Sequence, residues 1–202
     1  MNPYQKYSDT KLLSFWEKGS TFKKGKESDE NLIFSEIYDR HSPKIFNFCL
    51  RKLNDNRDKA SDILQETFIS LYNNLKMRSN ICSLCNYLLG TARNLCLNYI
   101  NREQNRTISL DENTNSLQIE NYFEDICAKI ESDDLFAFVL KALHILPDEQ
   151  REVFELREFT GMKYDEIANV CDIPVSTAKD RAYSAHNKIR KFLSPLIDDL
   201  KK

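Results

Sequence analysis

Apolar residues recur along most of this chain at intervals of three and four, the spacing that puts side chains on one face of an α-helix. Leu12, Leu13, Phe15 and Trp16 gather in SDTKLLSFWEK (8–18), which opens on Ser8, a good N-cap, and predicts a short helix. Leu32, Ile33, Phe34, Ile37 and Tyr38 form a second stripe. Pro43, favoured in a helical first turn, is expected to open a separate helix carrying Ile45, Phe46, Phe48, Cys49, Leu50 and Leu53, so that the two make a hairpin. After the turn LNDNRDKA, Leu64, Phe68, Leu71 and Leu75 repeat at four, three and four on a third helix. Its other face offers Asp62, Gln65, Glu66 and Ile69, so one side is core and the other polar and open to contact. A fourth helix is expected over 84–101, with Tyr87, Leu88, Ala92, Leu95 and Tyr99 inward, leaving Arg93, Asn94, Asn98, Asn101 and Arg102 as polar groups able to touch DNA.

From 103 to about 132 the apolar period lapses into Asn, Asp, Glu, Ser and Thr, with at most a helical turn around 122–130. So long a structureless loop is uncommon inside a compact domain, so this stretch reads as a linker between two domains. Beyond it, Leu135, Phe136, Val139, Leu140, Leu143 and Leu146 line one helix, stopped by Pro147, and LPDEQREVFELREF supplies another that Gly161 ends. Then come YDEIANVC (164–171), the tight turn DIP, and a last helix through Phe192 that Ser176 is expected to cap: a helix-turn-helix. Ala178, Ala182, Ala185, Ile189 and Phe192 should face the core. Ser176, Thr177, Lys179, Asp180, Arg181, Tyr183 and Ser184 then fall on the N-terminal half, the end that enters a major groove in such motifs. The expected fold is all-α: two small helical domains joined by an acidic linker, the C-terminal one a helix-turn-helix domain. The divisions are an N-terminal helix and loop at 1–29, a first domain at 30–102, the linker at 103–132 and a second domain at 133–202.

Composition agrees with long helices, since the 202 residues include only four glycines and five prolines. Charge changes the picture more. The net charge of −2 is unlike a nucleic-acid binder, but it conceals a segment, 107–134, with one basic residue against eight acidic, and a local excess of five basic over one acidic residue in 176–192. No apolar run reaches the eighteen or so residues of a membrane span and no secretory core follows Met1, so a cytoplasmic protein without membrane insertion is expected. Of six cysteines, Cys49, Cys96, Cys127 and Cys171 sit singly among apolar residues and read as small buried hydrophobes. Cys82 and Cys85 make one C-x-x-C. A zinc site would need two more ligands, and His41, His144 and His186 lie elsewhere in the chain, so neither metal nor cofactor is expected. An enzyme is disfavoured too, for want of a phosphate loop or nucleophile arrangement.

Three strings in order, DKASDILQETFISLY (58–72), YLLGTARNLCLNYI (87–100) and LPDEQREVFELREFTGMKYDEIANVCDIPVSTAKDRAYSAHNKIRKFL (146–193), resemble the extracytoplasmic-function (ECF) branch of the sigma-70 family of bacterial RNA polymerase sigma factors. The resemblance implies a factor that binds core RNA polymerase and directs it to promoters. It puts Asp62, Gln65, Glu66 and Ile69 against the clamp coiled coil of the largest polymerase subunit. It makes Arg93, Asn94, Asn98, Asn101 and Arg102, with the loop 77–83, the reader of the melted non-template strand at the −10 element, where a flipped base is held. The helix-turn-helix would read the −35 element as duplex DNA through Ser176, Thr177, Lys179, Asp180, Arg181, Tyr183 and Ser184, its domain resting on the polymerase flap. The linker would thread the channel later used by RNA, and an anti-sigma factor is an expected partner.

Several positions depart from the family. Tyr183, Ser184, His186 and Asn187 stand where basic residues are usual, Asp180 where serine is common, Tyr87 for a frequent tryptophan and Gly90 for an arginine. Fewer cations lower the phosphate contribution, while Asp180 could accept from a cytosine amino group. The stretch 19–31 exceeds the family's usual turn. A competing expectation is a helix-turn-helix regulator that binds DNA without polymerase, which leaves the DILQETF and TARNLCLNYI strings unexplained.

Overall fold

The computed structural model describes residues 2–18, 26–77, 81–108 and 142–199, and within these all regular structure is helical. The chain divides into two compact units, Met1–Gln104 and Asn105–Lys202. The first holds α1 (Asp9–Lys18), α2 (Lys26–Lys52), α3 (Arg57–Lys76) and all but the last turn of α4 (Leu84–Ile108). The second holds α5 (Asp148–Glu158), α6 (Tyr164–Cys171) and α7 (Val175–Asp199).

The expected hairpin at Pro43 is instead one helix. α2 runs unbroken from Lys26 to Lys52 with Pro43 inside it. Its buried positions explain why: Ile33, Ile37, His41, Ile45 and Phe48 form a single stripe at four, four, four and three that passes straight through the proline. A proline inside a helix costs roughly 3 kcal/mol. Breaking the stripe would expose several fully buried side chains worth about 1.5–3 kcal/mol each, so burial wins. Against this helix lie Leu12 and Trp16 of α1 and the run Leu64, Phe68, Leu71 and Leu75 of α3, all buried as the periodicity predicts.

α1 is held by more than apolar contact. The Trp16 indole Nε1 donates 3.0 Å to the Leu75 carbonyl, one of the orphan acceptors at the end of α3, and its ring meets Tyr72 edge-on at 6.0 Å. At its other end, Asp9 takes Arg40 Nη1 at 2.6 Å and the His41 Nε2 at 2.9 Å. Burial pushes the His41 pKa below its ordinary value. The Asp9 carboxylate opposes that shift, and Lys44 and Arg40 add to it. The folded state therefore prefers neutral His41, so its contribution is complete above about pH 6.5 and is lost as pH falls through the lowered folded pKa. Urea titrations at pH 7.5 and 5.5 should show wild type losing more stability on acidification than His41→Gln. Equal losses would refute the assignment.

α4 departs from expectation in two ways. Its buried residues are Leu84, Leu88, Leu89, Ala92 and Cys96, whereas Tyr87, Leu95 and Tyr99 are only half-buried. Small Ala92 and Cys96 allow close approach. The tyrosines stay at the margin, Tyr87 Oη accepting from Asn74 Nδ2 and the Tyr99 ring lying under Lys59 Nζ at 5.1 Å. The helix also continues to Ile108, through residues expected to begin the linker, because Arg102, Glu103, Gln104 and Arg106 are good helix formers that need no burial. The remainder of the linker, the helical turn at 122–130, most of the helix expected over 135–146 and Cys127 lie outside the described residues.

Cys49 and Cys96 are both fully buried, as expected of small apolar residues, and the neighbouring Cys96 thiol together with burial pushes the Cys49 pKa far up. Cys171 is buried in the second unit, Cys85 is half-buried and Cys82 is exposed.

Gly90 lies mid-helix in α4, where an added Cβ would meet nothing within 4 Å. Gly90→Ala should raise stability by about 0.5–1 kcal/mol through the lower entropy of the unfolded chain. A urea midpoint at or below that of wild type would contradict it.

Candidate functional site

The second unit is built around α7, which packs on both α5 and α6. α5 begins at Pro147, whose fixed φ of −53° suits the entry and whose carbonyl accepts from Gln150 and Arg151, with Asp148 and Glu149 in the favourable first turn. Gly161, at φ 74°, turns the chain after α5. α6 then starts at Lys163, whose N–H donates 2.8 Å to Glu166 Oε2. That is half of a capping box, since a lysine side chain cannot accept the reciprocal bond. α6 ends where Asp172 adopts the left-handed conformation at φ 55° and the Ile173 N–H returns to the Ala168 carbonyl at 3.0 Å. This three-residue turn puts α7 against α6.

Ala178, Ala182 and Ala185 are 0–1 % exposed, and this run of small side chains is what lets α7 lie close to its neighbours. Leu143, Leu146 and Phe154 complete the core beside Ala185, with Ile189 packed at its edge. Two expectations fail here. Phe192 is exposed rather than facing the core. Ser176 is no cap. The helix starts at Val175, the Pro174 carbonyl accepts from the Ala178 N–H, and Ser176 stands exposed in the first turn.

Of the residues expected to face DNA on α7, Ser176, Lys179, Asp180 and Tyr183 are exposed along one stripe, whereas Thr177, Arg181 and Ser184 are half-buried. Arg181 is turned back to α5, where Nη2 bonds Glu149 Oε2 at 2.5 Å. This pair, thirty-two residues apart, has no periodic signature in the sequence.

In the first unit two exposed surfaces carry the other expected residues. On α3, Asp62, Gln65, Glu66 and Ile69 are all exposed on the side away from Leu64, Phe68 and Leu71. Ile69 is 60 % exposed, a bare apolar group among polar ones. Asp62 takes an ion pair from Lys59 at 3.3 Å, a surface contact of little energetic weight. On α4, Asn94, Asn98, Asn101 and Arg102 are exposed and share one face, and Arg93 is half-buried. Residues 78–80 of the neighbouring loop lie outside the described part; Met77 at its edge is 79 % exposed. Among the described residues no helix is long and apolar enough to cross a membrane.

Comparison with known proteins gives these surfaces a context. Residues 37–106 match the family described as Sigma-70 region 2, and residues 139–188 match Sigma-70, region 4. The chain is 25 % identical over 177 residues to an ECF RNA polymerase sigma-E factor of Haemophilus influenzae, covering 85 % of this chain and 93 % of that one. It is 28 % identical over 164 residues to an RNA polymerase sigma-H factor of Pseudomonas aeruginosa, with 78 % and 84 % covered. Two solved structures share the fold. The sigma factor RpoE in complex with the anti-sigma factor NepR from Bartonella quintana has a TM-score of 0.56 at 20 % identity, covering 80 % of this chain and 96 % of that chain. CnrH in complex with the cytosolic domain of CnrY has a TM-score of 0.59 at 18 %, covering 93 % and 97 %.

Proposed function

The chain belongs to the sigma-70 family, in its extracytoplasmic-function branch, and from that premise we propose that it binds core RNA polymerase in the cytoplasm and directs it to promoters with −10 and −35 elements. The observation that carries this reading is the ordered pair of regions 37–106 and 139–188, which together span more than half of the chain. A regulator acting through its helix-turn-helix alone would have no use for the first.

Each surface then takes a role. The α3 face, Asp62, Gln65, Glu66 and Ile69, docks on the clamp coiled coil of the largest subunit; an exposed isoleucine ringed by polar groups has the make-up of an interface centre. The α4 face, Asn94, Asn98, Asn101 and Arg102, with Arg93 beside it, takes the melted non-template strand. Asparagine amides pair with base edges, and nothing on this face excludes a single strand by negative charge. The start of α7 enters the major groove of the −35 duplex while its domain rests on the flap, and the segment that follows α4, to about residue 132, serves as the interdomain linker. Lys179, Lys188, Arg190 and Lys191 are exposed and supply the phosphate contacts. An anti-sigma factor is the proposed inhibitor, by analogy with the two complexes of matching fold.

The test is run-off transcription with core RNA polymerase on a library of promoter fragments. Initiation should appear only when both proteins are present, and failure to stimulate any fragment would refute the reading.

A further inference from the structure

The base-reading stripe of α7 is unusual in its chemistry. Ser176, Lys179, Asp180 and Tyr183 follow one another at three, four and seven residues from the first, all exposed. Asp180 makes no hydrogen bond or ion pair with any described residue, and Tyr183, 70 % exposed, meets no other ring among them. The single arginine in this half of the helix is held against α5 by Glu149, so the forked donor that reads guanine is absent from the stripe. Beside the Ser176 hydroxyl and the lone ammonium of Lys179, a carboxylate and a bare phenol ring are what the groove meets.

A carboxylate is an acceptor only, and placing it against polyanionic DNA is unfavourable unless a donor awaits it. The major groove offers two kinds of donor, the amino groups of cytosine and adenine. Beside the adenine amine stands N7, an acceptor that repels the second carboxylate oxygen, and cytosine carries no such neighbour. Tyr183 lies three residues further on, a rise of about 4.5 Å along the helix, close to the ~3.4 Å step between base pairs. Its ring therefore falls at the adjoining pair, where the apolar feature of the groove is the thymine methyl. We propose that Asp180 and Tyr183 are the specificity-determining pair of this chain, selecting a cytosine and an adjacent thymine in the duplex element, with Glu149 keeping Arg181 off the bases. The inference rests on α7 reading duplex DNA as described above.

The full chain in complex with core RNA polymerase is used to select from a duplex library randomised across the upstream element. Wild type should enrich a cytosine next to a thymine. Asp180→Asn, whose amide both donates to N7 and accepts from N6 of adenine, should cut the cytosine preference about tenfold and move it toward adenine. Replacing the selected thymine by uracil removes one methyl group and should weaken wild type about fourfold, and Tyr183→Ala not at all. Both side chains are exposed, so unfolding midpoints should match wild type and exclude misfolding. Unchanged base preference in Asp180→Asn, or wild-type indifference to uracil, overturns the inference alone. A wild type that with polymerase selects no duplex sequence overturns the duplex-reading role and the inference together.

Discussion

Replacing Ile69 by aspartate is expected to lower affinity for core RNA polymerase about thirtyfold or more while leaving the unfolding midpoint nearly unchanged. The two effects separate because Ile69 is 60 % exposed in the free protein. Its methyl groups contribute little to folding, and isoleucine and aspartate differ only slightly in helix propensity. In a complex the same side chain would be the apolar centre of a patch whose rim is Asp62, Gln65 and Glu66, and central apolar anchors carry a disproportionate share of binding energy. Aspartate there removes the anchor and buries a charge without a partner. A labelled chain titrated with core polymerase gives the affinity, and urea unfolding gives the stability. Binding within about threefold of wild type would move the docking surface away from this face of α3, and Glu66→Lys would then be equally silent.

That surface was legible in the sequence because it is the complement of a local pattern. Once Leu64, Phe68, Leu71 and Leu75 are recognised as one buried stripe, the helix geometry leaves Asp62, Gln65, Glu66 and Ile69 no choice but the opposite side. The same logic located Asn94, Asn98 and Asn101 on α4 and the alanine seam of α7. It failed where two stripes compete within one helix. In α4 the aromatic positions are bulkier, yet Leu84, Leu88, Ala92 and Cys96 at strict intervals of four became the buried face. Tyr87 stays at the margin, where its hydroxyl meets Asn74.

Pro43 misled for a different reason. Its local preference for a first turn is real, but the uninterrupted stripe on either side of it outweighed that preference, and His41 was the overlooked member that closed the gap. Pairs distant in sequence left no trace at all. Neither Glu149 with Arg181 nor Asp9 with Arg40 and His41 belongs to any period, and each shapes what its helix can do. The first of these holds an arginine back from the exposed stripe of α7, a consequence that counting charges over 176–192 could not reveal.

Trp16→Ala should destabilise the first unit by about 3–5 kcal/mol, a large part of the 5–15 kcal/mol typical of a whole domain. Trp16 is 7 % exposed, lies edge-on to Tyr72, meets Phe34 at 6.4 Å and donates its indole N–H to Leu75. Alanine leaves a cavity bounded by α2 and α3 and strips a carbonyl at the end of α3 of its donor, so transfer, cavity and hydrogen-bond losses fall on one site. Trp16→Phe separates them: it keeps most of the packing, loses the bond, and should cost about 1–3 kcal/mol. Since Trp16 is the chain's one tryptophan, wild-type unfolding can be followed by its fluorescence, and circular dichroism serves all three proteins. Trp16 is the member of α1 that reaches both Phe34 of α2 and Tyr72 and Leu75 of α3, so amide exchange in α1 should quicken in Trp16→Ala more than in α3. A loss below about 1 kcal/mol, with α1 amides still protected, would mean that α1 docks through its charged end and that the indole contributes only coverage.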